Sequence, residues 1–253
     1  MAEQASDNSS ANMQDAARAE VTSRPKRQQR TYLFELGLFA VIGAFTTLTI
    51  LVKTTPSFPI DLAITKALQS IDSPVFAALM NLISWPGFSP QSYMIAAMIV
   101  LLIYLLGFHW EAVVAAFAVI FTPIVNVMVK EYIQRPRPGI DLVDVFRILD
   151  SYSFPSGHVM FYIGFYGFLW FLIYTLLKRS WLRTLLLILL STLIALVGIS
   201  RIYLGQHWAS DVLGAYLLGS LCLVAEIELY RWGKSRFFVR QPVAQEKPKT
   251  TDT

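Results

Sequence analysis

The sequence predicts an all-α, polytopic membrane protein: a bundle of six transmembrane helices with one interfacial helix between the first and second. Three observations support this fold class. Hydrophobic residues make up 55% of the 253 residues, and the mean hydropathy of +0.52 exceeds that of ordinary globular proteins. The apolar residues are also concentrated in runs of ~17–25, the length that a helix needs to cross a bilayer. The chain is therefore expected to have the lipid bilayer as its surroundings.

Six apolar runs satisfy this length requirement, and charged residues are scarce inside them. Together they form the expected membrane domain, residues 31–240. In chain order the predicted spans are residues 33–52, 91–107, 112–129, 159–177, 182–199 and 209–230.

The segment between the first two spans predicts an interfacial helix. Its apolar residues recur at helical spacing but are interrupted by Asp61, Lys66 and Asp72, which is typical of an amphipathic helix with one wet face. Residues 74–85 are apolar, yet about 12 residues are too few to cross a bilayer. They either extend the second span or lie re-entrant against the bundle.

Both ends of the chain are polar. Residues 1–30 and 241–253 contain no apolar run, so they are expected to be disordered tails. The first tail lacks the apolar core of a cleaved signal peptide, and insertion is therefore expected to begin with the first span. The single cysteine, Cys222, falls inside the sixth span and has no intrachain partner for a disulfide.

Three polar segments lie at span ends: KEYIQRPRP at 130–138, PSGH at 155–158 and SRIYLGQHWASD at 200–211. In the first, Lys130 and Arg137 are candidate phosphate ligands. A basic residue at a span end is more often an interfacial anchor, and Arg-Pro-Arg-Pro is more often a stiff turn. The phosphate hypothesis for this segment therefore depends on the other two.

The PSGH segment has the features of an anion site at a helix N-terminus. Ser156 is a good N-cap, Gly157 lets the backbone approach an anion closely, and His158 falls in the first turn. The free N–H groups and the positive end of the helix dipole then face a phosphate oxygen. The alternative is a plain serine cap followed by a surface histidine.

The third segment contains Arg201, His207 and Asp211. A spacing of four residues places His207 and Asp211 on the same face of a helix. Asp211 can then accept a hydrogen bond from one imidazole nitrogen, so that the other presents its lone pair as a nucleophile. A simple surface ion pair is the alternative, but an unpaired charge at the mouth of a membrane span is costly.

Other polar residues receive no catalytic assignment. His109 is expected at the cytoplasmic interface. Asn126, Glu226 and Glu228 fall within or near spans, where polar groups are functional candidates, although both glutamates are expected to be wetted at the cytoplasmic end. The sequence has no His/Cys cluster and no calcium-loop pattern, so no metal and no cofactor are predicted.

Basic residues predict the orientation, because Lys and Arg are retained on the cytoplasmic side of membranes. With six spans, three basic clusters share one side, which makes both termini cytoplasmic and places all three motifs on the extracytoplasmic face. Arg135, Arg137 and Arg201 then lie where this bias disfavours them, and anion binding is a reason to keep them there. The clusters are Arg24, Lys26, Arg27 and Arg30; Lys178, Arg179 and Arg183; and Arg231, Lys234, Arg236 and Arg240.

The motif spacing resembles the three-part signature of the type 2 phosphatidic acid phosphatase superfamily, in its membrane-bound lipid phosphatase branch. Six residues separate Lys130 from Arg137-Pro138, and PSGH follows. Five residues then separate Arg201 from His207, and three separate His207 from Asp211. The signature covers about 25 residues, and the order of spans and motifs extends the likeness across the membrane domain.

The resemblance implies a metal-independent phosphatase that works through a phosphohistidine. In it, His207 attacks phosphorus and Asp211 orients it, while His158 protonates the leaving oxygen and later activates water. Cations would supply the charge stabilisation that magnesium provides in other phosphoryl-transfer sites. The oxygens of the phosphate would be held by Lys130, Arg137, Arg201, Ser156 and the Gly157 amide.

The implied substrate and partner is a membrane lipid phosphate, and no nucleic acid is expected. Relatives act on undecaprenyl diphosphate, phosphatidic acid, phosphatidylglycerophosphate or lipid A; the short loops favour an undecaprenyl diphosphate or phosphatidic-acid-type substrate. The sequence does not decide between monophosphate and diphosphate, or the oligomeric state. Two alternatives remain: a non-catalytic lipid-binding or transport protein on the same scaffold, and a vanadate-dependent haloperoxidase, whose known examples are soluble.

Overall fold

The computed structural model describes residues 28–29, 31–55 and 57–238, and all regular structure in those ranges is helical. Apart from residues 28–29, the tails predicted at 1–30 and 241–253 lie outside the described residues. The all-α prediction is confirmed for the described part of the chain. The helices are α1 (Thr31–Thr54), α2 (Pro59–Gln69), α3 (Pro74–Ser84), α4 (Gln91–Leu105), α5 (His109–Ile133), α6 (Gly157–Leu176), α7 (Trp181–Tyr203) and α8 (Ala209–Gly233).

The chain divides into two compact units, Met1–Thr47 and Leu48–Thr253. The described residues of the first unit are helical, and most of them belong to α1. The candidate site and the helices that support it, α2 to α8, belong to the second unit.

Five helices are long and apolar enough to cross a membrane: α1, α5, α6, α7 and α8. The predicted second span is different, because α4 has only 15 residues. It qualifies only together with Pro74–Gly87, and the two pieces meet at a bend of 61°. Pro86 and Pro90 explain the break, since proline removes a backbone donor and clashes with the preceding turn. The protein is thus a multi-pass membrane protein with five candidate spans, or six if the bent pair is one span.

The predicted interfacial helix is two helices, α2 and α3. The break falls at Ser73, whose side chain accepts a hydrogen bond from the Phe76 N–H at 3.3 Å, with Pro74 at the first helical position. The expectation for Asp61 was wrong. Its charge predicted a wet helix face, but the residue is only 1% exposed because an arginine and a serine bind it from the other side.

Helix α6 is the central element of the described bundle. Of its apolar stretch 67% is buried, against 33% for α5 and α8 and 28% for α7. It begins at Gly157 and widens into a π-helical turn at Tyr162–Tyr166. Within that turn the Tyr162 hydroxyl donates to the Ile83 carbonyl at 2.6 Å, which fixes the end of α3 beside the start of α6. The short 3₁₀ turn Trp85–Gly87 is thereby held against the PSGH segment.

Candidate active site

The three polar segments meet at one end of the helices, around a cavity of about 410 Å³. The first ends α5, the second begins α6, and the third connects α7 to α8. Ser156 and Asp211 do not line this cavity. The other six predicted site residues line it: Lys130, Arg137, Gly157, His158, Arg201 and His207.

His207 lies in the turn before α8, so the expected placement of His207 and Asp211 on one helix face is wrong. The helix begins at Ala209, and Asp211 instead accepts the Trp208 N–H at 2.8 Å as part of the N-terminal cap. The turn still brings the pair together, with Nδ1 of His207 3.5 Å from Oδ2 of Asp211. This separation is at the limit of a hydrogen bond.

The tautomer of His207 follows from its other neighbour. Its Nε2 lies 3.2 Å from Nη1 of Arg137, and a guanidinium can only donate. Nε2 therefore carries the lone pair, which leaves the proton on Nδ1, facing Asp211. Burial, followed by the charges of Arg137, Lys130 and Arg201, lowers the pKa of His207 well below its ordinary value. A neutral imidazole with a free lone pair is the form that a nucleophile requires.

Asp211 is the centre of a buried hydrogen-bond network. Its Oδ1 accepts from Nη1 of Arg135 at 2.5 Å, and its Oδ2 accepts from the hydroxyl of Ser153 as well as from the cap N–H. The carboxylate has no exposed surface. Its position is therefore fixed by several donors besides the histidine.

Arg135, Asp61 and Ser210 extend this network; sequence reasoning missed Asp61 and Ser210 and considered Arg135 only for anion binding. Nη2 of Arg135 lies 2.9 Å from Oδ2 of Asp61, and Asp61 also accepts the Ser210 hydroxyl at 2.6 Å and the Ser210 N–H at 2.8 Å. The Ser210 hydroxyl in turn accepts from Arg135 at 2.8 Å. The feature that could have pointed to Asp61 was a carboxylate among the apolar residues of α2, but nothing in the sequence connected position 61 to Asp211.

The cations of the site are held mainly by neutral oxygens. Lys130 donates to the Tyr152 carbonyl. Arg137 donates from Nε to the Ser151 carbonyl at 2.6 Å and from Nη1 to the Gln206 carbonyl at 2.5 Å. Burial lowers the pKa of Arg137, and the charge of Asp211 opposes that effect. Because carbonyls orient a cation without neutralising it, these charges remain available to an anion.

Arg201 is anchored in the same way, although it is fully buried. Nη1 donates to the Ser84 hydroxyl at 2.6 Å, and Nη2 donates to the side-chain carbonyl of Gln206. Its Nε has no partner among the described residues. One donor of this guanidinium is thus left over for a ligand.

The PSGH turn is supported by α5. Ser156 is the N-cap of α6, as predicted, but its hydroxyl does not make the capping hydrogen bond and has no partner in the described part of the chain. Asn126 donates to the Pro155 carbonyl at 3.0 Å, and a Cβ on Gly157 would lie 3.1 Å from its Oδ1. Glycine at 157 therefore allows α5 to approach the turn closely.

His158 packs against the segment between α3 and α4. Its ring lies edge-on to Phe88, with centroids 4.6 Å apart, and a Cβ on Gly87 would overlap with it. Its Nε2 is buried without a partner. Within the described residues, eight buried side-chain polar atoms lack a partner, and four of them belong to the predicted site: those of Ser156, His158, Arg201 and His207. Such a concentration of unsatisfied groups is typical of a site that a polar ligand completes.

Glu226, Glu228 and His109 do not line the cavity. The expectation of a wetted Glu226 was wrong, because it is fully buried and accepts from Thr122 at 2.9 Å. Glu228 is exposed and pairs with Arg231 at 2.8 Å. His109 begins α5, and its ring contacts Tyr104. The described residues contain no group of three or more His, Cys, Asp or Glu that could hold a metal ion.

Comparisons with known proteins identify a family and several similar proteins. Residues 111–234 match the model of the PAP2 superfamily. Over 99 residues the chain is 39% identical to phosphatidylglycerophosphatase B of Bacillus subtilis (strain 168), a match that covers 39% of this chain and 47% of that protein, so it spans about half the length of this curated relative.

Two solved structures are similar. A transmembrane PAP2-type phosphatidylglycerolphosphate phosphatase from Bacillus subtilis superposes with a TM-score of 0.69 at 28% identity, covering 79% of this chain and 98% of the other. LpxE of Aquifex aeolicus superposes with a TM-score of 0.54 at 20% identity, covering 69% and 98%, and this match shows the fold alone. With the matched family model spanning every signature position from Lys130 to Asp211, the chain belongs to the PAP2 superfamily.

Proposed function

We propose that this chain is an integral-membrane lipid phosphatase, which hydrolyses a lipid phosphate or diphosphate monoester through a phosphohistidine on His207. The observation that carries the proposal is the lone pair on Nε2 of His207, which the donor Arg137 identifies, at a cavity lined by several cations and a second histidine. A site that only binds an anion needs the cations but not an oriented nucleophile.

In the first step, Nε2 of His207 attacks phosphorus and the bond from phosphorus to the lipid oxygen breaks. Arg137 shifts from Nε2 to a phosphate oxygen, and Lys130 and Arg201 neutralise the other non-bridging oxygens as charge develops. His158, in its protonated form, gives a proton to the leaving oxygen. The incoming dianion favours that form, because it supplies negative charge among the cations.

In the second step, the now neutral His158 accepts a proton from water, whose oxygen attacks the phosphohistidine. The P–N bond breaks, inorganic phosphate leaves, and the lone pair returns to Nε2. Asp211 keeps the proton of His207 on Nδ1 throughout, which prevents the ring from presenting the wrong nitrogen. No step in this scheme requires a metal ion.

The proposed topology has six spans, with α3 and α4 forming the second as a broken pair, and α2 lying at the interface. Basic residues at Lys178, Arg179 and Arg183 and at Arg231 and Lys234 then share the cytoplasmic side with both termini. The cavity opens on the extracytoplasmic face, where the headgroup of a substrate could enter while its tail stays in lipid.

The substrate class includes undecaprenyl diphosphate and phosphatidic-acid-type lipids, as the short loops favour. The name of the Bacillus subtilis relative adds phosphatidylglycerophosphate. Phosphate release by purified protein from a panel of these three lipids tests the proposal, with and without EDTA and with vanadate. We expect turnover that EDTA leaves unchanged and that vanadate blocks. Binding without release would favour a lipid-binding protein, halide oxidation would favour a haloperoxidase, and activity lost in EDTA and restored by magnesium would contradict metal independence.

A further inference from the structure

Arg147 is a fourth cation at the cavity, and it belongs to none of the three motifs. Its guanidinium carbon lies 5.5 Å from the ring centroid of Phe88, and that of Arg201 lies 5.1 Å from the same centroid. The two guanidinium carbons are therefore no farther apart than the sum of these distances. Both arginines line one cavity and contact the same aromatic ring.

The backbone around Arg147 is anchored on both sides. Before it, the Phe146 N–H donates to the Leu204 carbonyl at 3.2 Å, and the Gln69 side chain bonds both the carbonyl and the N–H of Asp144, at 2.7 and 3.1 Å. After it, Ser151 accepts from Arg137. The loop thus presents Arg147 to the cavity from a fixed position.

The charge of Arg147 is uncompensated among the described residues. Asp144 and Asp150 are each three residues away in sequence, yet neither forms an ion pair with it, and no hydrogen bond to its guanidinium is present. The described side chains that line the cavity include no carboxylate. A cation held in this way is available to an anion that enters from outside.

One phosphate does not account for four cations. A phosphate monoester carries about −1.5 to −2 charges at neutral pH. Lys130, Arg137 and Arg201 already supply three positive charges around His207. Arg147 lines the same cavity in addition to these three, so its charge exceeds what one phosphate requires.

We propose that Arg147 is a subsite for a second phosphoryl group, so that the enzyme selects lipids that carry two phosphates over lipids that carry one. This inference rests on the proposed function and names its substrate class. Because Arg147 lines the same cavity as Arg201 and contacts the same Phe88 ring, it is placed to pair with an anion bound beside the scissile phosphate. A diphosphate and a phosphodiester joined to the scissile phosphate by a glycerol share this chemistry, whereas phosphatidic acid lacks the second anion.

Turnover by the full-length protein in nanodiscs tests the subsite with three substrates: phosphatidic acid, phosphatidylglycerophosphate and a prenyl diphosphate. The variant is Arg147→Gln, which removes the charge but keeps much of the side-chain length, and the matched control is Arg179→Gln in the loop between α6 and α7. We expect kcat/KM to fall ~10-fold in Arg147→Gln for two-phosphate lipids, equivalent to ~1.4 kcal/mol, and to change less than ~2-fold for phosphatidic acid. The control should match wild type on all three.

The pattern of losses distinguishes the two sources of the second phosphate. A loss confined to phosphatidylglycerophosphate assigns the subsite to a phosphodiester, and a loss confined to the prenyl diphosphate assigns it to a β-phosphate. An equal loss on all three substrates, or no loss on any, overturns the proposal.

A binding measurement separates the subsite from the proposed function. Wild type should bind methylenediphosphonate at least ~10-fold more tightly than methylphosphonate, and Arg147→Gln should lose most of that preference. If no lipid is hydrolysed but this preference persists and depends on Arg147, the phosphatase proposal fails and the two-anion subsite stands. If the preference is absent, or is unchanged in Arg147→Gln, the subsite is wrong.

Discussion

Replacement of Asp61 should impair catalysis, although Asp61 lies outside all three motifs and does not line the cavity. It accepts from Arg135 at 2.9 Å and from the hydroxyl and N–H of Ser210 at 2.6 and 2.8 Å. Arg135 is 1% exposed and also binds Asp211. The substitution therefore disturbs the residue that faces Nδ1 of His207.

The size of the effect follows from burial. Removing one partner of a buried ion pair costs ~3–5 kcal/mol, and a buried donor left without a partner costs ~1–3 kcal/mol. In Asp61→Ala, Arg135 keeps its bond to Asp211, so we expect a loss of ~3 kcal/mol in the free energy of unfolding. Asp61→Asn keeps the volume and one acceptor oxygen, and its loss should be smaller.

The catalytic effect should appear in kcat rather than KM. Without the Asp61 carboxylate, Arg135 interacts more strongly with Asp211 and pulls it away from His207. A shift of ~1 Å at a reacting group can lower the rate ~10²-fold. For Asp61→Asn we expect kcat to fall ~10–100-fold with KM within ~2-fold of wild type, measured by phosphate release, because the cations that bind the substrate are untouched.

The matched control is Asp72→Asn, the same change at an exposed position after α2. It should leave kcat and the unfolding midpoint at wild-type values. An Asp61→Asn protein with wild-type kcat would refute the link from Asp61 to the nucleophile, even if it were less stable.

Four further predictions concern the site and the topology. His207→Ala should lower turnover by ~10⁴-fold or more and should never trap phosphate on the enzyme. His158→Ala should lower turnover strongly for lipid phosphates and less for an activated aryl phosphate, and it should accumulate phosphoenzyme. Phosphoenzyme in His207→Ala would overturn the assignment of roles. Because the pKa of His207 is lowered well below 6.5, the acid limb of kcat/KM should lie below pH 6.5 once the titration of the substrate is corrected for. An acid limb at pH 6.5, matched by direct titration of the His207 imidazole at the same pH, would contradict the neutral imidazole. The same shift gives His207 a contribution to the free energy of unfolding that is fully present above pH 6.5. That contribution is lost as pH falls, because the unfolded chain then binds a proton that the native site does not. Gly157→Ala should reduce kcat ~10-fold, because its Cβ would lie 3.1 Å from Asn126 and must displace the turn; unchanged turnover would show that the turn can yield. A cysteine at Asp72, before α3, should react with an impermeant thiol reagent in intact cells and one at Phe108, after α4, should not, and labelling of both would exclude α3–α4 as a crossing.

The sequence was sufficient where a pattern has a direct physical cause. The length of an apolar run determines whether a helix can cross a bilayer, so the long helices α5 to α8 were anticipated to within a few residues. The motif residues were brought together because each sits at a span end on one side. The position of Ser156 as the N-cap residue of α6 was anticipated too, although its hydroxyl does not make the capping hydrogen bond.

The sequence was insufficient where position depends on tertiary contact. The i,i+4 spacing suggested a helix for His207, but the turn Leu204–Trp208 delays the start of α8, and Asp211 caps that helix as well as facing the histidine. Asp61 looked like a solvent-facing charge, since only the folded chain brings Arg135 to it. A single sequence carries no record of such long-range pairing.

The anchoring of the site by residues before position 111 has a consequence for how small an active fragment can be. The matched family region, 111–234, contains all eight signature residues. Arg201 nevertheless donates a hydrogen bond to Ser84, and Arg135 donates one to Asp61. His158 packs against Gly87 and Phe88. A fragment or chimera that contained only the signature region would carry every reacting group but lack the residues that position them. Transfer of specificity between relatives should therefore require the segment from α2 through the start of α4 as well.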